Sequence, residues 1–228
     1  MGNTRQVVVG GVRIGGGAPI AIQSMSTFSP LDTVAAASQI QALHQAGADI
    51  IRVAVPDKKA AEALGALRAK VDVPLVADIH FDYRLALTAM EQGIDALRIN
   101  PGNIGKRENV VKVVDMAKEK HIPIRIGINA GSLPEEILAA HGGHPTAEGM
   151  VEGALSHVRI LEVEEFYDIV ISVKSSDVPM MVKANRLLSE KVDYPLHLGV
   201  TEAGTLYRGT IKSAIGIGSL LLDGIGDT

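Results

Sequence analysis

The chain has 228 residues and a mass of 24.0 kDa, which lies in the size range of one α/β barrel. A hydrophobic content of 46% with a mean hydropathy of +0.21 excludes intrinsic disorder, and a formal net charge of −4 argues against general nucleic-acid binding. The absence of cysteine excludes disulfides, a thiolate nucleophile and an iron–sulfur cluster held by this chain alone. The polar start and the lack of long apolar runs predict a cytoplasmic protein without a membrane partner, or a plastid stromal one if a transit peptide was removed.

Short β-branched runs alternate along the chain with longer stretches of helical period, which indicates repeated βα units around a parallel sheet. A glycine pair, Gly10-Gly11, first separates two short apolar runs and predicts a β-hairpin that plugs the bottom of a barrel. Seven strands are then predicted to begin near Ile20, Ile50, Leu75, Ala96, Ile124, Ile169 and Leu196. Helices are predicted over 32–46, 57–70, 82–92, 106–120, 146–164, 177–191 and 210–222, several of them opened by Asp or Thr as N-cap.

These elements predict one domain over residues 1–228. Its fold class is α/β, a TIM-type (β/α)8 barrel with an N-terminal β-hairpin and without an eighth strand, because few residues follow Leu196. We expect the first and seventh strands to leave open edges, which would be filled by another segment, by a strand of a partner chain or by a distorted closure.

Polar side chains interrupt the apolar strands where each strand ends. In a parallel barrel the carboxyl ends of the strands form the catalytic face. Side chains alternate across a strand, so these residues share the inward face while the intervening isoleucines face the helices. The polar set comprises Arg52, Asp78, His80, Arg98, Asn100, Arg125, Asn129 and Lys174.

Four cations on neighbouring strands predict a polyanionic ligand. Two like charges ~4 Å apart repel by roughly 4 kcal/mol at an effective dielectric constant near 20, so convergence of the cations requires an anion. Guanidinium geometry matches phosphate oxygens, which makes a diphosphate the natural ligand. Asp78 could instead neutralise one arginine, and part of the cluster would then be structural.

Further candidates follow the last strand. His197 lies in it, where an isolated histidine is more often a hydrogen-bonded core residue than a catalyst. Glu202 is the carboxylate placed to donate a proton, with helix initiation as its alternative role. No metal site is predicted: His141 and His144 lie in segment 131–146, which we interpret as a lid or a surface loop.

Several longer strings resemble the 4-hydroxy-3-methylbut-2-enyl diphosphate synthase family. They are QSM at 23–25, ADIHFD at 77–82, LRINPGNIG at 97–105, PIRIG at 123–127, SVK at 172–174, PLHLGVTEAG at 195–204 and GIGDT at 224–228. The resemblance implies an oxidoreductase of the methylerythritol phosphate route to isoprenoids, which reductively opens 2-C-methyl-D-erythritol 2,4-cyclodiphosphate with loss of water. It also implies that Glu202 is the acid, that Asp78 and His80 complete the pocket floor, and that the substrate is bound by Arg52, Arg98, Asn100, Arg125, Asn129, Lys174 and His197.

The same resemblance implies partners and a cofactor outside this chain. The family carries a four-iron four-sulfur cluster on three Cys and one Glu of a C-terminal domain, takes electrons from ferredoxin or flavodoxin, and forms a homodimer in which that domain caps the partner barrel. We expect this chain to lack that domain and to be inactive alone. The alternatives are a pterin-binding barrel resembling dihydropteroate synthase, which the 3% aromatic content disfavours, and a non-catalytic diphosphate-binding or assembly domain.

Overall fold

A computed structural model describes residues 4–228; the first three residues of the predicted domain, 1–3, lie outside the described part. Six parallel strands form one sheet in the order of the sequence, as the predicted barrel requires. They are β3 (Gln23–Met25), β4 (Ile50–Ala54), β5 (Leu75–Asp78), β6 (Ala96–Ile99), β7 (Ile124–Asn129) and β8 (Ile169–Lys174). The strand–helix alternation confirms the α/β barrel class, and the sheet is a curled, incomplete barrel.

The predicted hairpin is present and acts as the plug. Strands β1 (Val7–Val9) and β2 (Val12–Ile14) pair antiparallel around Gly10-Gly11, whose positive φ angles suit a tight turn. Val9 and Ile14 pack in one buried cluster with Ala21, which precedes β3, and with Ile50, Val76 and Ala96 of the strands β4, β5 and β6. This apolar plug fills the amino-terminal end of the sheet interior, so polar residues line only the opposite end.

The helices follow the predicted positions closely. They are α1 (Thr33–Gln45), α2 (Lys58–Arg68), α3 (Tyr83–Glu91), α4 (Arg107–Lys120), α5 (Glu135–Ala140), α6 (Ala147–Val163), α7 (Val178–Ser189) and α8 (Leu206–Leu222). The side chains that accept hydrogen bonds from first-turn amides are Asp32, Asp57, Asp82, Thr146 and Asp177. Helix α8 begins one turn before the predicted 210, and the short helix α5 lies in a segment predicted to be a loop. Within residues 4–228, no helix has the length and apolar composition needed to cross a membrane.

Two strand predictions need correction. The first strand begins at Gln23, three residues after the predicted start. Ile20 and Ile22 are exposed and precede it, and the Ile22 carbonyl accepts a hydrogen bond from the Ile50 amide at 3.2 Å. Leu196 forms a single bridge to Ile171 and does not start a strand. The carbonyl of Val173, the next acceptor along β8, accepts a hydrogen bond from the buried amide of Asn185 in α7 at 3.0 Å, which stops the ladder there.

The last residues lie between the two ends of the sheet. The amide of Asp227 donates to the carbonyl of Leu196 at 2.9 Å, and the amide of Leu198 donates to the carbonyl of Thr228 at 2.8 Å. On the other side, the amide of Ala21 donates to the carbonyl of Asp227 at 3.1 Å. Residues 227–228 therefore lie in the eighth position, so another segment of the chain fills the gap, which is one of the outcomes expected from the sequence.

The Asp227 carboxylate fixes this junction, and its removal should destabilise the fold. It accepts hydrogen bonds from the Leu196 amide at 2.9 Å and from the Thr4 hydroxyl at 2.8 Å. We expect Asp227→Ala to lower the free energy of unfolding by about 1–3 kcal/mol, because both donors lose their partner. Asp193→Ala is the matched control, since Asp193 is 54% exposed in its ion pair with Arg5 and should contribute at most about 1 kcal/mol. Equal losses in the two variants, measured by urea unfolding, would contradict this role.

Candidate anion-binding site

The sheet register brings the predicted basic residues to one end of the barrel. Asp78, Arg98 and Arg125 are direct partners across β5, β6 and β7. Arg52 on β4 pairs with Val76, two residues before Asp78. Lys174 ends β8 opposite Asn129. Five of the predicted site residues therefore come from five consecutive strands, as the alternation of side chains predicts.

Asp78 is the acidic centre of this group. Its carboxylate, 5% exposed, accepts a hydrogen bond from Arg98 Nη1 at 3.1 Å and lies 3.6 Å from Arg52 Nε. The exposed ring of His80 brings its Nε2 to 3.4 Å from the same carboxylate. Arg52 also donates to the sulfur of Met25 at 2.8 Å. The ion-pair role that the sequence left open for Asp78 is thus present, and one carboxylate is shared by two arginines.

Arg125 has no such compensation. It is only 5% exposed, and within residues 4–228 neither its Nε nor its Nη2 has a hydrogen-bond partner. Burial, reinforced by the charges of Arg52 and Arg98, lowers the pKa of Arg125 to about 9. At neutral pH the guanidinium therefore stays charged, although burial without a partner is costly.

Lys174 and His197 form a second buried contact beside Arg125. Lys174 Nζ lies 3.2 Å from His197 Nε2. Burial, followed by the charges of Arg125, Arg52 and Arg98, lowers the pKa of Lys174 to about 7. Burial and the same cationic surroundings hold the pKa of His197 well below its ordinary value, so the imidazole is neutral and its Nε2 accepts from the amine.

The remaining predicted residues lie at the margin. Asn100 is buried after β6, where its Oδ1 accepts from the amide of Gly102 at 3.1 Å. Glu202 is exposed in the loop before α8, with a left-handed backbone (φ 49°), and no contact described for residues 4–228 joins it to the cluster.

The histidines of segment 131–146 lie outside the cluster, and His141 Nε2 lies 2.9 Å from a carboxylate oxygen of Glu152. In the part of the chain that the structure describes, no three His, Asp or Glu side chains are grouped to hold a metal ion.

Two glycines that were not predicted as site residues leave space for basic side chains of the cluster. A Cβ on Gly127 would lie 2.5 Å from Arg98 Nε, and one on Gly199 would lie 2.8 Å from Lys174 Nζ. The inward parity of Gly127 beside Arg125 was a usable signal, whereas nothing in the local pattern marked Gly199. Arg98 and Lys174 therefore lie so close to the backbone at these two positions that any residue other than glycine would collide with them.

A cavity of about 360 Å³ opens beside Asp78. Its size suits a small ligand. A cavity of about 470 Å³ between α4 and α6 contains no member of the cluster. The lining of the smaller cavity is Ala54, Val55, Pro56, Asp78, His80, Phe81, Asp82 and Leu85.

Two neighbouring arginines should respond oppositely to the same substitution. Arg125→Met removes a buried charge without a hydrogen-bond partner at Nε or Nη2 and should raise the free energy of unfolding by about 1–4 kcal/mol at pH 7. Arg98→Met leaves the carboxylate of buried Asp78 without its hydrogen-bond donor, next to Arg52 at 3.6 Å and the exposed ring of His80, and should lower the free energy of unfolding by about 1–3 kcal/mol. Urea unfolding of both variants in phosphate-free buffer measures the difference. Destabilisation of similar size in both would contradict the charge imbalance.

Lys174 should make stability depend on pH. Its pKa is about 7 in the folded chain and near 10.4 in the unfolded one, so between these values the unfolded chain binds more protons and stability rises with pH. Relative to Lys174→Met, the unmodified chain should gain about 2–3 kcal/mol between pH 6.5 and 9.5. Unfolding free energies of both proteins across this range check the sign, and parallel profiles would refute it.

The fold and the site define a class of protein: an incomplete TIM-type barrel that presents an excess of buried positive charge at the carboxyl ends of its strands. Residues 4–228 match the family described as the GcpE TIM-barrel domain, and the chain belongs to this family. It is 60% identical over 225 residues to a protein of Symbiobacterium thermophilum and 59% identical over 225 residues to one of Geobacter sulfurreducens. Both relatives are named 4-hydroxy-3-methylbut-2-en-1-yl diphosphate synthase (flavodoxin). The matches cover 99% of this chain but 60% and 64% of the relatives, so the chain spans less than two thirds of their length.

Solved structures with similar folds are much more distant in sequence. Dihydropteroate synthase of Thermus thermophilus has a TM-score of 0.67 at 13% identity, covering 97% of this chain and 90% of its own. 3-Dehydroquinate dehydratase of Geobacillus kaustophilus has a TM-score of 0.65 at 15% identity, covering 92% and 83%. Such identities show the shared barrel fold alone, so the pterin-binding alternative gains no support beyond the fold.

Proposed function

We propose that this chain is the substrate-binding barrel of a 4-hydroxy-3-methylbut-2-en-1-yl diphosphate synthase. In the proposed reaction, 2-C-methyl-D-erythritol 2,4-cyclodiphosphate is bound at the carboxyl ends of the strands and its ring is opened reductively with loss of water by the complete enzyme. The observation that carries the proposal is Arg125, a buried guanidinium with two nitrogens that find no hydrogen-bond partner within residues 4–228. It belongs to a group of four basic residues, of which Arg52 and Arg98 are paired with the carboxylate of Asp78. A cyclic diphosphate supplies two negative charges to such a group.

Each member of the cluster has a distinct proposed part in binding. Arg125 would donate from its unpaired Nε and Nη2 to phosphate oxygens. Arg98 and Arg52 are held in place by Asp78 and would contribute their remaining donors. Lys174 would regain a full positive charge beside the phosphate, because a nearby anion favours its protonated form. Asn100, Asn129 and His197 would add neutral contacts at the margin of the site.

Glu202 is proposed as the acid that protonates the departing hydroxyl. Its carboxyl group lies in the exposed loop before α8, from which it would have to reach a ligand bound at the cluster. Asp78 and His80 would form the floor of the pocket, with Asp78 orienting two arginines and not transferring protons itself.

The redox group of the proposed reaction does not fit the residues of this chain. An iron–sulfur cluster is held by thiolates, and the chain contains no cysteine. The reductive step is therefore assigned to a C-terminal domain of the complete protein, with flavodoxin as the donor that the relatives' name indicates, or ferredoxin. We further propose a cytoplasmic homodimer in which the partner's C-terminal domain covers this barrel.

Binding of the cyclic diphosphate tests the proposal directly. We expect calorimetry on this chain to detect binding that Arg125→Met weakens by about 1.5–3 kcal/mol, since a charge-assisted contact is lost. Arg107→Met is the control, because Arg107 is exposed in its ion pair with Glu164 and lies outside the cluster. Binding of a pterin in preference to the cyclic diphosphate, or an equal effect of both substitutions, would refute the proposed substrate.

Glu202→Gln separates the proposed acid from the binding residues. In the complete synthase the substitution should lower the rate of the chemical step at least about tenfold and leave substrate affinity nearly unchanged, as expected for a proton donor. Single-turnover kinetics and calorimetry measure the two quantities separately. Parallel loss of affinity and rate would place Glu202 among the binding residues instead.

A further inference from the structure

We propose that Lys174 is a nucleophilic amine that forms an imine with small phosphorylated aldehydes bound in this site. The inference concerns the free site and depends on the cluster residues, not on which diphosphate the complete enzyme uses. The amine of Lys174 lies in a site whose cationic residues oppose its protonation.

The surroundings of Lys174 favour a neutral amine. Lys174 ends β8, where the charges of Arg125, Arg52 and Arg98 oppose protonation of its amine, and the carboxylate of Asp78 is already paired with Arg98. The titratable neighbour in direct contact is His197, which is itself neutral and contributes no negative charge. A lysine that is desolvated beside other cations is the usual form of an amine nucleophile.

The site also provides access and a contact that positions the amine. Lys174 is half-buried at the end of β8, and the glycine at 199 leaves its Nζ free of a side chain on that wall. His197 Nε2 lies 3.2 Å from Nζ and holds the amine in place by a hydrogen bond. The unpaired nitrogens of Arg125 provide the anchor for the phosphate of the same molecule.

The reaction balances without an oxidant or a reductant. The neutral Lys174 nitrogen attacks the aldehyde carbon to form a C–N bond, and one N–H proton is passed to the carbonyl oxygen to give a carbinolamine. The C–O bond then breaks as the second N–H proton is passed to the hydroxyl group, which leaves as water, and the C=N bond forms. The products are the imine and one water, and hydrolysis restores the free amine.

Reductive trapping tests the proposal on the chain as it is. The chain is incubated with pyridoxal 5′-phosphate at pH 7.5, reduced with borohydride and mapped by peptide mass spectrometry. We expect labelling of Lys174 at least about tenfold faster than of Lys58, an exposed lysine paired with Glu62, because an ordinary lysine is almost fully protonated at this pH. Pyridoxal, which lacks the phosphate, should label Lys174 at least about tenfold more slowly than the phosphorylated probe.

Variants and a competitor separate this inference from the proposed function. Arg125→Met should slow labelling of Lys174, and Arg107→Met should leave it unchanged. If the cyclic diphosphate fails to protect a rapidly labelled Lys174, the proposed substrate is wrong and the imine site stands. Labelling of Lys174 no faster than of Lys58, or equal rates with pyridoxal and its phosphate, overturns the imine site whatever the cyclic diphosphate does.

Discussion

One buried carboxylate faces four basic side chains, and this charge imbalance governs the carboxyl end of the barrel. Asp78 pairs with Arg98 and lies near Arg52, whereas Arg125 is buried with two nitrogens that have no hydrogen-bond partner within residues 4–228. Burial, together with the excess positive charge, lowers the pKa of Lys174 to about 7. Glycines lie under Arg98 and Lys174, and the apolar hairpin closes the other end of the interior. The fold thus supports a site in which the excess positive charge is unfavourable without a ligand. An anionic ligand would neutralise this charge.

Most of the fold could be predicted because its signals are local. The N-caps at Asp32, Asp57 and Asp177 each start a helix at the predicted place, and the Gly10-Gly11 pair forms the predicted hairpin. The failures depend on contacts between distant residues. The pairing at Leu196 stops after one bridge because Asn185, from another element, occupies the next carbonyl of β8. No periodicity in the sequence around 196 reports that hydrogen bond.

The candidate site was predictable to the same extent. Alternation along the strands placed Arg52, Arg98 and Arg125 on one inward face, and the register confirms it. The sequence did not show which cation Asp78 pairs with, because that depends on strand stagger. Glu202 was predicted from its position after the last predicted strand and from its motif, and the structure places it in an exposed loop. Position in the sequence after a strand therefore does not fix where a loop side chain lies. Its role stays a prediction.

The proton balance of ligand binding tests the charge imbalance most directly. A cyclic diphosphate has no ionisation of its own near pH 8, whereas Lys174, with a pKa of about 7, is mostly neutral there. Calorimetry at pH 8 in buffers of different ionisation enthalpy gives the number of protons bound with the ligand. The account predicts uptake of about one proton by the unmodified chain and none by Lys174→Met. Binding without proton uptake by the unmodified chain, or equal uptake by both proteins, would contradict it.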